Sequence, residues 1–250
     1  MPIHRLADMT WEEVRDLDRP RAVAILPVGA LEAHGPHLPL STDVIIAGAM
    51  ARACAEALSA EGRHVVVLPP LWATHAGFAT AFPGTVSVSG AVVTTLVREV
   101  AAALAAQGFG ALAVANAHLD PAHLASLREA CADAPAGIRV AFVDLTRRAA
   151  AERLTGEFRT GACHAGRFEG SIVLAEAAPL VRTDVAAALE PVPSSLSKAI
   201  RAGARTFAEA GGPRAYFGWP AEATPEEGRE SVRVLGELLA EAVRAAMEET

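Results

Sequence analysis

Cysteine is scarce in this 250-residue chain: Cys54, Cys131 and Cys163 lie far apart, are odd in number and form no CxxC pair. That argues against a disulfide framework or a thiolate zinc site and suits a reducing compartment. Positive charge is also short, with 22 Lys and Arg against 29 Asp and Glu and a net charge of −7. No Lys/Arg cluster compensates locally, so the chain lacks an electrostatic footprint for nucleic acid. Long hydrophobic runs are missing too. The stretch 100–115 is interrupted by Gln107, Gly108 and Gly110 and is shorter than the roughly 20 residues that span a bilayer. Residues 1–19 carry Asp8, Glu12, Glu13, Asp16 and Asp18 with no apolar core segment, so they do not read as a signal peptide. The expectation is a soluble, cytoplasmic protein with no membrane or nucleic-acid partner. Gly-x-Ser-x-Gly is absent as well, and Cys163 and His164 are adjacent, a poor placement for a nucleophile and its base.

What is present is core-forming material. Hydrophobic residues make up 52% and charged residues 20%, which excludes intrinsic disorder. The length fits one large domain or two small ones. Residues 179–193 are the best linker candidate, but nothing after them resembles a second core, and no internal repeat is found. A single domain over 1–250 is expected.

Strand and helix patterns alternate along the chain. The apolar run 22–28 reads as a strand buried on both faces, followed by an alanine-rich helix over 43–58 with Ser41, Thr42 and Asp43 at its start. Strands are expected at 64–68, 111–115 and 138–143, and helices at 90–107, 121–132, 171–178 and 197–209. Thr224, Pro225, Glu226 and Glu227 form a capping-box pattern that opens a last helix towards Glu248. This order predicts an α/β fold with a mostly parallel sheet sandwiched by helices.

Ligands of open α/β sheets bind at the carboxyl ends of the strands, and two such ends are loaded with metal-competent side chains. The 22–28 strand is followed by Glu32, His34, His37 and Asp43; the 111–115 strand by His118, Asp120 and His123. With the patch Cys163-His164-Ala165-Gly166-Arg167-Phe168-Glu169, these segments hold five of the chain's eight histidines. Glu32 with His34 and His118 with Asp120 are i, i+2 pairs that share a side in extended backbone. Two carboxylate–imidazole pairs on neighbouring strand ends suit a two-metal site for Zn, Mn or Fe. Glu32, Asp43 and Asp120 supply −3, and a bridging hydroxide −1, against two divalent ions. Asp43 serves equally well as a helix N-cap from spacing alone, and Glu169 as a solvated helix residue. His37, His75 and His123 stand alone, and such histidines are more often structural than ligating.

The same residues carry a family likeness. Pro27 to Asp43 closely resembles the first motif of the creatininase (creatinine amidohydrolase) family; Phe82 to Ser89 is similar to its Phe-Pro-Gly-Thr segment. Asn116 to His118 and His164 to Glu169 resemble its third and fourth motifs. The resemblance implies a three-layer α/β/α sandwich with two divalent metal ions per chain, zinc before manganese or iron, no organic cofactor, and a homo-oligomer, commonly a hexamer. It implies Glu32, His34, Asp43 and His118 as ligands, with Asp43 bridging and either Asp120 or Glu169 completing the set. His164, with Glu169, is implied in catalysis by moving protons. His75, Leu119 and Phe168 fall where substrate would be lined. The segments around Phe78, Leu119 and Gly170 depart from the family pattern, which points away from creatinine itself. The activity implied is hydrolysis of a C–N bond in a small cyclic or linear amide, formamide or lactam by a metal-bridging hydroxide. A peptidase-like maturation enzyme for a modified peptide and a non-catalytic, metal-stabilised subunit are the alternatives.

Overall fold

The computed structural model describes residues 2–248. Five strands, β1 (Ile3–Arg5), β2 (Val23–Val28), β3 (Val65–Val67), β4 (Ala111–Asn116) and β5 (Arg139–Phe142), form one all-parallel sheet in the order β1-β3-β2-β4-β5. The helices are α1 (Trp11–Arg15), α2 (Thr42–Ala60), α3 (Gly90–Ala106), α4 (Pro121–Ala132), α5 (Arg148–Ala151), α6 (Gly156–Thr160), α7 (Arg167–Ala177), α8 (Thr183–Ala187), α9 (Leu196–Arg201) and α10 (Pro225–Glu248).

Alternation along the central strands sorts side chains onto two faces. Val23, Ile25, Ala111, Ala113 and Ala115 pack with α2, α7 and α10, whereas Ala24, Leu26, Leu112 and Val114 pack with α3 and α4. Helices therefore cover both faces, and every residue of β2 and β4 is buried. That explains the unbroken apolar runs of these strands, since neither face meets water. Pro27 is tolerated in a central strand because its carbonyl still accepts from Leu71 N, and the missing N–H faces the side where the chain detours through Pro69 and Pro70.

From β2 the chain crosses by α2 to β3 on one side, while β4 lies on the other. The loops after β2 and β4 thus diverge at the point where strand order reverses, opening a crevice at their carboxyl ends. Gly29 is required there: a Cβ would lie 2.4 Å from the Asp43 backbone carbon, so only glycine lets the end of β2 meet the start of α2.

Several expectations shift. Strand β1 was not expected; three residues on an edge leave too little periodicity to read. The expected 171–178 helix starts earlier, at Arg167, where the Glu157 side chain of α6 accepts from its first N–H groups. The expected 197–209 helix ends at Arg201, since Gly203 follows with φ 101°. Only half of the capping box forms: Thr224 Oγ1 accepts from Glu227 N, but Thr224 N donates to Ser171 Oγ. Residues 179–193 include α8 and bridge to Gly218 through Val192, and the segment 192–219 builds an apolar cluster around Phe207 and Phe217 that reaches Ala33 and Ala162. No helix among the described residues is long and apolar enough to cross a membrane.

Candidate metal centre

At the crevice, three carboxylates and three imidazoles converge. Glu32, Asp43, Glu169, His34, His118 and His164 are all buried. His118 Nδ1 lies 2.9 Å from Asp43 Oδ2 and 3.2 Å from Glu32 Oε1. His34 Nε2 lies 3.1 Å from Asp43 Oδ1 and 3.6 Å from Glu169 Oε2. His164 Nδ1 is 3.9 Å from Glu32 Oε1. Three groups could each hold a cation: Glu32–Asp43–His118, His34–Asp43–Glu169 and Glu32–His34–His164. Asp43 belongs to two of them through different oxygens.

The donor chemistry fits divalent metal. Ligand bonds of about 2.0–2.2 Å leave neighbouring ligand atoms roughly 3–3.5 Å apart, close to the spacings observed. Each imidazole also has one nitrogen committed outward: His34 Nδ1 donates to the Glu32 carbonyl, His118 Nε2 to the His75 carbonyl and His164 Nε2 to the Ala33 carbonyl. Fixing the proton on the outer nitrogen leaves a lone pair on the inner one, the tautomer a metal ligand needs. Three buried carboxylates this close repel one another unless positive charge lies among them.

The pKa shifts express the same electrostatics. Burial opposes charge on His34, but Asp43, then Glu169 and Glu32, outweigh it and raise the imidazole to about 10. Burial likewise opposes charge on His118, yet Glu32 and Asp43 carry it well above the ordinary range. Burial pushes Glu169 up, reinforced by the charges of Asp43 and Glu32 against the pull of His34. Burial and the neighbouring His34 hold His164 well below its ordinary value, so it is a neutral imidazole at neutral pH.

Local sequence explains how these groups are held. Asn116, at the end of β4, accepts from His118 N and His123 Nε2 and donates to the His118 carbonyl, which fixes the turn. Thr85 of the Phe-Pro-Gly-Thr segment accepts from Ala33 N, bracing the loop after β2. The start of α7 is capped by Glu157 of α6, whose carboxylate accepts from Arg167 N, Phe168 N and Trp219 N at 2.6–2.9 Å. A Cβ on Gly166 or Gly218 would strike that carboxylate. Ala165, between His164 and α7, takes φ 51° and turns its N–H to Glu169 Oε2 at 2.6 Å.

A cavity of about 290 Å³ opens onto the centre, lined in part by Glu32, Asp43, His118, Glu169, Phe78 and Leu119. His164 also lines it and stacks on Phe207, with ring centroids 4.1 Å apart.

Three of the expected site residues lie apart from the converging side chains. Asp120 lines the cavity but lies outside every candidate ligand group: its Oδ1 accepts from Ala122 N and His123 N, and its Oδ2 from Gly77 N. It is the N-cap of α4, and the remaining carboxylate of the centre is Glu169. His75 is not among the cavity-lining residues; its Nδ1 donates to the Val88 carbonyl, and its own carbonyl orients His118. Phe168 packs on Phe158 in the core rather than in the cavity, because i, i+1 neighbours on α7 face different ways and Glu169 takes the inward position. Asp43 does not cap α2, as its carboxylate is spent on His34 and His118. Sequence reasoning missed Glu157 and Phe207; Glu157 reaches Phe168 N 11 positions on and Trp219 N 62 positions on, Phe207 stacks on His164 from a remote segment, and no local spacing marks either.

A family model described as Creatininase, creatinine amidohydrolase, matches residues 7–243. The chain belongs to the creatininase family. Mycofactocin precursor peptide peptidase of Mycolicibacterium smegmatis is 44% identical over 78 residues, 31% of this chain and 32% of that protein. Creatinine amidohydrolase of Pseudomonas putida is 32% identical over 121 residues, 46% of this chain and 45% of that protein. These two matches span less than half the length of either relative. The mycofactocin precursor peptide peptidase of Mycobacterium ulcerans is 30% identical over 226 residues, 88% of this chain and 82% of that protein. Among solved structures, a mutant creatininase is 25% identical with a TM-score of 0.76 over 97% of this chain and 98% of that one. The three-layer parallel architecture is thus that of creatininase.

Proposed function

We propose that the chain hydrolyses a C–N amide bond with two divalent ions, one held by Glu32, Asp43 and His118 and the other by His34, Asp43 and Glu169, with the whole chain acting as a single domain. The observation that carries this reading is Asp43, whose two oxygens serve two ligand groups at the cavity floor. Zinc, manganese or iron bound there supplies Lewis acidity towards the amide carbonyl and hydroxide at neutral pH.

The chain's own residues do the rest. The carbonyls of Glu32 and His75 hold the two ligand imidazoles in one tautomer. His164 keeps its Nδ1 towards the centre, where it takes the proton that remains on the added oxygen after attack and delivers it to the leaving nitrogen. Phe207 covers one face of that ring, which fixes its plane and keeps bulk water away.

The cavity's apolar walls, Leu119, Phe158, Ile200 and Phe207, favour a linear amide with apolar substituents over a small polar ring. The relative matching 88% of the chain is a peptide peptidase, which supports a modified peptide as the second reading of the substrate. The test is turnover by metal-reconstituted protein across creatinine, formamides, lactams, linear amides and short peptides, followed by mass spectrometry. Metal-dependent cleavage in at least one class is expected. Silence across the panel at full metal loading would leave a metal-stabilised, non-catalytic subunit.

A further inference from the structure

The cavity has a second chemical pole. Its floor is acidic, but its lining also includes Arg159 of α6 and Arg201 at the end of α9, both exposed and so placed at the rim. Neither guanidinium makes a hydrogen bond or ion pair with the described residues. Their neighbours behave differently: within 147–167, Arg147 pairs with Asp144, Arg148 with Glu152, Arg153 with Glu241 and Arg167 with Glu222. Arg159 is the exception in that segment, and it is the one that lines the cavity.

No acid in the cavity is left for these cations. Glu32, Asp43 and Glu169 face the metal centre and Asp120 caps α4. In a chain of net charge −7, two guanidinium groups left unpaired at the mouth of one cavity are available to an anion that arrives with the substrate. The buried floor and the exposed rim share a lining that includes Phe158, Leu196, Ile200 and Phe207, so that anion must sit beyond an apolar stretch of the same molecule.

Resting on the amide-hydrolase reading, we propose that Arg159 and Arg201 form a carboxylate subsite, and that the substrate is an amide bearing a free carboxylate separated from the scissile bond by an apolar group. The planar carboxylate matches the guanidinium fork, and hydrolysis on its far side releases the carboxylate-bearing fragment from the rim towards solvent.

The test compares short apolar peptides in matched free-acid and C-terminal carboxamide forms on metal-reconstituted protein and on the double variant Arg159→Gln, Arg201→Gln. The free acid is expected to be preferred by about 10- to 100-fold in kcat/KM, mostly through KM, because each charged hydrogen bond is partly exposed. The variant should reduce the acid-over-amide ratio to about one, and higher salt should shrink the wild-type ratio. Equal handling of acid and amide by the wild type, or an unchanged ratio in the variant, overturns the subsite. If neither peptide is cleaved, the hydrolase reading of these peptides fails separately, and equilibrium binding decides the subsite. Tighter binding of the acid that disappears in the variant sustains it; equal binding of acid and amide overturns it. Unchanged melting temperatures show that both proteins are folded.

Discussion

Glu32 and His118 follow the ends of two fully buried strands, whereas His164 and Glu169 lie just before and within the first turn of α7, away from the strand ends. The first pair inherits its position from the β2–β4 register, in which Val28 pairs with Asn116. The second depends on a cap reaching in from α6, on glycines that admit it, and on a left-handed alanine. A sheet end costs no extra strain because its ladder is already satisfied. The α7 turn holds Ala165 at positive φ, at a cost of about 1 kcal/mol or more, and needs the rest of the fold to maintain it. The two halves meet at Asp43, so the proposed centre joins a rigid support to one that is assembled from distant parts.

Substitutions should separate the halves in a definite order of severity. Asp43→Ala strikes the junction and should abolish both metal occupancy and turnover, read by elemental analysis and assay. Next comes His164→Ala, expected to keep its metal while turnover falls by about 10²–10⁴, as for loss of a general acid–base. Retained turnover in that variant would remove His164 from the chemistry.

Glu157→Ala probes the assembled half without touching the centre. Three backbone N–H groups lose their acceptor in a buried setting, so stability should drop by about 2–4 kcal/mol in urea unfolding, with a parallel loss of turnover. A variant as stable and active as the wild type would show that α7 holds its place without this cap. The smallest effect is expected at Asp120→Asn, which keeps one acceptor for the α4 N-terminus and should cost about 1 kcal/mol or less.

The same contrast explains what could be read from the chain. β2 and β4 were legible because burial on both faces writes an unbroken apolar run, and their ends could be found because Glu32, His34 and His118 follow at once. The layers and the parallel order came from alternation alone. The choice between Asp120 and Glu169 was not legible. Both residues are acidic and near a helix start, and what separates them is that Asp120 Oδ2 meets Gly77 N, 43 positions away. The core placement of Phe168 is not legible for a related reason, since which face of α7 turns inward depends on Phe158 and on Glu157 at the cap. His75 showed its imidazole in the sequence, whereas its carbonyl is what reaches His118.

The central claim is that Asp43 joins two metal groups and that Glu169, not Asp120, completes the second. Metal content per chain, measured by elemental mass spectrometry on the wild type beside Glu169→Gln and Asp120→Asn, tests it most directly. The account predicts about two divalent ions in the wild type and in Asp120→Asn, and about one in Glu169→Gln. Two ions retained in Glu169→Gln with one lost from Asp120→Asn would contradict it.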